Sequence, residues 1–172
     1  MKNALRYVFV AGLMAVGLAL TGTALAADGK GCALQGTWYG VNNLDELLPS
    51  GWVVTATGQS ANEGINVLEF PTFDITFNGA FEAVDASVDR GVWKRTGGNT
   101  FRYSFSSIAV DADRNIVYSA RVSGDILVSD DCMSEEITTW VEVFLAGQSM
   151  FKDEPYMAFP FPKHYGYRYT FD

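Results

Sequence analysis

The sequence predicts an all-β protein, an antiparallel up-and-down β-barrel of about eight to ten strands. Three observations carry that expectation. From Gly91 to Leu145 apolar and polar residues nearly alternate, the period of a strand with one face buried and the other wet. Short clusters of Gly, Asn, Asp and Ser separate the alternating runs and read as hairpin turns. Helical pattern is confined to one short stretch near Leu44 to Leu48.

The first 26 residues are read apart from the fold. Lys2 and Arg6 precede an apolar run from Tyr7 to Leu20, and Ala24-Leu25-Ala26 forms a small-x-small cleavage site, so residues 1–26 are expected to be a cleaved signal peptide. Gly12 and Gly17 interrupt a run already shorter than the ~20 apolar residues of a membrane span, so no stable membrane insertion is expected. Gly29, three positions before Cys32, stands where a lipid-modification site has Leu, which argues against acylation. A periplasmic or secreted location follows.

The remaining 146 residues, 27–172, are of single-domain size. The whole chain carries a net charge of −8, and the export segment holds two of its basic residues and none of its 20 acidic ones. So acidic a surface repels nucleic acid and anionic membranes. The two cysteines, Cys32 and Cys132, are expected to form a disulfide in an oxidising compartment, and no Cys-x-x-Cys spacing points to redox catalysis.

In chain order, Leu34 to Val41 is the first expected strand, anchored by Trp38. Asn42 to Ser50 supplies turn residues around the short helical stretch, which Pro49 ends. Gly51 to Thr57 is β-prone, Gly58 to Gly64 reads as a loop, and Leu68 to Phe70 as a short strand that Pro71 confines to an edge or bend. Asp74 to Phe77 and Ala80 to Val84 flank Asn78-Gly79, which suits the two positive-φ positions of a type I′ hairpin. A turn near Ser87 to Arg90 precedes a strand at Gly91 to Arg95 and a hairpin loop at Thr96 to Asn99.

Phe101, Tyr103 and Phe105 share one face of the next strand. Asp111, Asp113 and Asn115 have the opening spacing of a calcium loop, but Ile116 replaces its glycine and Val122 its glutamate, so a plain turn is expected. Tyr118, Ala120 and Val122 alternate on the following strand, with Gly124 expected at a bulge or bend. Ser129 to Glu136 is an acidic turn around Cys132.

Ile137, Thr139, Val141, Val143 and Leu145 then form one strand face. Trp140 and Phe144 lie on the other, at an interface with a partner or a second copy of the chain, or beneath the C-terminal segment. Pro155, Pro160 and Pro162 are expected to exclude Gly147 to Lys163 from a central strand, leaving a lid or a connection along the wall. Tyr165 to Phe171 alternates again and is expected to close the sheet on the first strand.

Gly36-Thr37-Trp38 on the first strand, the β-meander, and Arg168 on the last strand resemble the lipocalin and wider calycin pattern. Asn78 to Phe81, Gly91 to Arg95 and Phe101 to Asn115 are similar to small secreted bacterial lipocalin-like proteins. The resemblance implies that 27–172 is one lipocalin-like barrel domain, and that Trp38 stacks on Arg168 at the closed end, a cation–π contact of roughly 0.5–2 kcal/mol. That pairing conflicts with an inner face carrying Tyr167 and Tyr169, because Arg168 lies between them. The meander also resembles allene oxide cyclase-like and dirigent-like barrels.

An interior lined by Trp93, Phe101, Tyr103, Phe105, Tyr118, Val141, Tyr167 and Tyr169 would be apolar with a few hydroxyls, the make-up of a small-molecule pocket or of a filled core. His164 is the only histidine, so no His-based metal cluster can form, and no glycine loop for phosphate is present. No catalytic residue, cofactor or metal is assigned. Three functions remain open: a carrier or sensor of a hydrophobic small molecule, a barrel cyclase or isomerase using His164 or a buried carboxylate such as Glu82 or Glu142, and a protein-interaction module.

Overall fold

The computed structural model describes residues 31–41, 51–69 and 83–170. The expected signal peptide, the helical turn near Leu44, the Asn78-Gly79 hairpin and Glu82 lie outside these residues.

Nine strands are present among them: β1 Gly36–Val41, β2 Gly51–Gly58, β3 Glu63–Glu69, β4 Asp85–Ala86, β5 Asp89–Gly97, β6 Thr100–Val110, β7 Ile116–Val128, β8 Ser134–Leu145 and β9 Met157–Arg168. Every pairing is antiparallel, in the ring order β1-β2-β3-β5-β6-β7-β8-β9. The ring closes where β9 returns to β1, with Trp38 opposite Arg168. Closure removes the edges that an open sheet would leave unpaired. The ninth strand, β4, continues β5 alongside β6: Ala86 faces Ala109 and Arg90 faces Ser106, so one extra residue bulges between them.

The N-terminal segment plugs one end of the barrel. Cys32 and Cys132 are joined at disulfide distance, with Cα atoms 5.4 Å apart. The Cys32 amide donates to Asn99 Oδ1 at 2.7 Å, and Arg95 Nη2 donates to the Cys32 carbonyl at 2.8 Å. Trp38 Nε1 donates to the Leu34 carbonyl at 2.8 Å. Above this plug Leu34, Trp38, Trp93, Phe101 and Val128 pack into a fully buried base.

Four local expectations need correction. β3 begins at Glu63, well before Leu68, because Gly64, Asn66 and Leu68 alternate inward against Ile65 and Val67. Gly124 lies in unbroken register between Ser123 and Asp125, with no bulge. Pro160 and Pro162 belong to β9. They are tolerated because β9 pairs with β1 only over Tyr165 to Arg168, so residues 157–164 form a ladder with β8 alone among the described residues, and a proline on the other side interrupts nothing.

The last correction concerns the faces of β9. Tyr165, Tyr167 and Tyr169 are 40%, 50% and 59% exposed, so the tyrosines line the outside and Arg168 points inward. On the outer wall Phe144 is fully buried beneath Arg121, whose guanidinium is 5.6 Å from the ring and bonds both Glu142 and the Met150 carbonyl. Trp140, on the same face, stays 44% exposed.

Candidate functional site

Beyond the packed base the barrel holds a cavity of about 790 Å³. Its apolar wall comes from inward positions of six strands, including Val54, Leu68, Phe105, Tyr118, Val122, Ile126, Ile137, Val141 and Phe161. Of the residues expected to line the interior, Tyr103, Phe105, Tyr118 and Val141 face this cavity. Trp93 and Phe101 also point inward, but they meet edge-on at 5.7 Å within the packed base. Tyr167 and Tyr169 are outside, where Tyr169 and Tyr39 lie 4.9 Å apart.

One row across the wall shapes the cavity. Trp52 faces Gly40 on β1, Gly40 faces Gly166 on β9, and Gly166 faces Glu135 on β8. A Cβ at Gly40 would stand 2.3 Å from the Trp52 ring, and one at Gly166 would stand 2.7 Å from both Trp52 and Glu135. The two glycines therefore leave the space over which Trp52 and Glu135 approach each other. Trp52 also meets the His164 ring edge-on at 5.9 Å, and His164 meets Phe161 in the same way at 5.8 Å. His164 reaches the interior because β9 carries one extra residue between the pairs Ile137–His164 and Thr139–Phe161.

Polar groups are set into this apolar wall. Glu135 is 3% exposed, and burial pushes its carboxyl up to about 8, with Arg168 acting in the opposite sense. Asp89 is 4% exposed and is raised to about 6 by burial, with Ser107 working against the shift. Burial lowers His164, whose Nδ1 donates to the Pro162 carbonyl at 3.2 Å. The Tyr103 and Thr139 hydroxyls share a 2.6 Å hydrogen bond. Burial also pushes the Tyr118 phenol up to about 12, with Asp89 adding to the shift.

Among the described residues four buried side-chain atoms have no hydrogen-bond partner: Trp52 Nε1, Asn66 Oδ1, Asp89 Oδ1 and Glu135 Oε2. All four residues line the cavity. Buried polar groups are ordinarily paired, so these are the atoms a water or a ligand in the cavity would meet first.

Glu135, Asp89, Asn66 and Trp52 were not among the residues expected at the site. Glu135 sits in the acidic turn sequence and Asp89 in a turn sequence, yet each has the parity of its strand's inward residues, Ile137 and Thr139 in one case and Gly91 and Trp93 in the other. That parity is the signal that could have found them. Glu142, considered as a buried carboxylate, is instead on the outer wall in a 2.6 Å ion pair with Arg121. Its exterior position follows from its alternation with Val141 and Val143.

The Asp111 turn is self-contained. Its carboxylate accepts from the amides of Asp113 and Asn115 at 2.9 and 2.8 Å and from the Asn115 side chain at 3.1 Å. Among the described residues no group of three or more His, Cys, Asp or Glu is placed to hold a metal ion.

The closed eight-stranded antiparallel barrel is compatible with a lipocalin-like fold. No family model matches the chain, and no curated protein matches it.

Proposed function

We propose that this is an exported lipocalin-like protein that binds a small, largely hydrophobic molecule inside its barrel. The observation that carries the reading is the cavity of about 790 Å³ with apolar walls and a few buried polar atoms, the usual composition of a small-molecule site. One end of the barrel is closed by the disulfide-tied N-terminal plug, so the packed base supports a cavity without filling it. The disulfide is consistent with an oxidising compartment, in keeping with the export signal read at 1–26.

Mass spectrometry of small molecules released by denaturing gently purified protein tests this reading, with an unrelated exported protein as control. A single enriched apolar compound that rebinds in a direct titration supports it. An empty extract, together with no uptake of a neutral apolar dye by the folded protein, overturns it.

A second reading is a cyclase or isomerase of the barrel type, favoured by the presence of Glu135, Asp89 and His164 on the cavity wall. In that reading a carboxyl held near neutral pKa exchanges a proton with a substrate in an apolar site. Conversion of the extracted compound on incubation with fresh protein would select it over a carrier.

A further inference from the structure

The charges that meet in the cavity restrict its ligand. Glu135, Asp89, Glu69 and Asp85 line it together with His164, whose charged form burial disfavours, and among the described residues no Lys or Arg does. Arg168 points inward beside Glu135 and offsets part of its charge, while one N–H of each of its three nitrogens is held by the carbonyls of Cys132 and Gln35 at 2.8 and 2.7 Å and by that of Ala33. The stretches 42–50 and 70–82, outside the described residues, contain Asp45, Glu46, Asp74 and Glu82 and no Lys, Arg or His.

The unpartnered atoms have the same bias. With both carboxyls ionised, Asn66 Oδ1, Asp89 Oδ1 and Glu135 Oε2 outnumber the single donor Trp52 Nε1, and each belongs to a residue at most 6% exposed. A fatty acid would bring another carboxylate and more acceptors into this site. An ammonium group brings three donors, no acceptor and a positive charge, and an indole ring beside a carboxylate is a favourable place for it.

Building on the binding reading above, we infer that the cavity selects amphiphilic amines. The amino group docks at Glu135 beside Trp52, and the apolar body lies along Phe105, Val122, Val141 and Phe161. Asp89 adds to the negative field and takes a further N–H or O–H donor of the ligand.

The test uses the purified protein loaded with the neutral dye Nile red at pH 8.5, where Glu135 ionises and an alkylamine remains protonated. Dodecylamine, dodecanol and dodecanoate are compared as displacers below their micellar concentrations. We expect the amine to displace the dye at a concentration at least roughly tenfold below the alcohol, as a charge-assisted hydrogen bond allows, with dodecanoate the weakest. Glu135→Gln should reduce that advantage to threefold or less, and Asp89→Asn should reduce it in part.

Equal displacement by amine and alcohol, or tightest binding of dodecanoate, overturns the inference while leaving the binding reading intact. An amine advantage that survives both variants and disappears with salt belongs to the acidic surface and also overturns it. A protein that takes up neither dye nor displacer removes the binding reading itself. If Glu135→Gln does not fold, Asp89→Asn carries the same comparison.

Discussion

The guanidinium of Arg168 lies 4.2 Å from the centre of the Trp38 ring, on the inner side of the strand pair that closes the barrel. Its three donor groups reach carbonyls of the N-terminal plug and of Cys132, so one side chain joins β9, β1, the plug and the disulfide. Arg168→Ala is expected to lower stability by at least about 3 kcal/mol, combining the loss of a cation–π contact with buried carbonyls left unpaired. Arg168→Lys should recover less than half of that, because an ammonium cannot reproduce the planar fork. A loss below 1 kcal/mol in urea unfolding would contradict this role.

The disulfide spans a sequence separation of 100 residues. On the chain-entropy account, the Cys32→Ser/Cys132→Ser double variant loses up to ~4.7 kcal/mol. The loss should appear as a lower urea midpoint, with faster exchange of the β6 and β7 amides that open only when the whole barrel unfolds. An unchanged midpoint would contradict it.

Buried carboxyls give stability a pH dependence whose sign is fixed. Glu135 titrates at about 8 in the fold and near 4.5 when unfolded, so between those values the folded chain holds a proton the unfolded chain has released. Unfolding free energy therefore falls as pH rises through that window, by up to about 1.4 kcal/mol per pH unit. Asp89 acts in the same direction between 3.8 and about 6. His164, lowered below 6.5, acts in the opposite direction, its contribution growing until pH passes 6.5. Between pH 6.5 and 8 only Glu135 among these groups remains in its window, so wild type should lose stability there and Glu135→Gln should not. Parallel slopes for the two proteins in urea unfolding would refute the assignment.

Gly166→Ala places a methyl group 2.7 Å from both Trp52 and Glu135. Overpacking of this kind costs roughly 1–3 kcal/mol, and it displaces the Trp52 ring or the Glu135 side chain, both of which line the cavity. The variant is expected to fold with lower stability, an altered tryptophan emission and weaker uptake of Nile red. Undiminished dye affinity would show that Trp52 does not bound the ligand space.

Much of the barrel was legible because its strands alternate. Phe101, Tyr103 and Phe105, and then Tyr118, Ala120 and Val122, each lie on one face of their strand, as their spacing requires. Alternation defines two faces but does not say which is inside. On β9 both faces are aromatic or basic, so hydrophobicity alone favours the tyrosines inward, whereas hydrogen bonding to the plug places Arg168 there instead.

The polar floor of the cavity was hidden for a related reason. Glu135 and Asp89 adjoin turns rich in charge, so their composition reads as solvated surface while their parity reads as core. His164 could not be placed by counting, because the extra residue in β9 shifts the parity between Phe161 and His164.

Pro160 and Pro162 bear on how the protein behaves when concentrated. Along residues 157–164 the described residues leave the far side of β9 without a partner strand, and such a rim can recruit another chain. A proline has no amide hydrogen to offer a newcomer. Two of them two positions apart interrupt any ladder that would grow there, so the same residues that mark where the wall stops pairing also guard it against fibril growth through that rim.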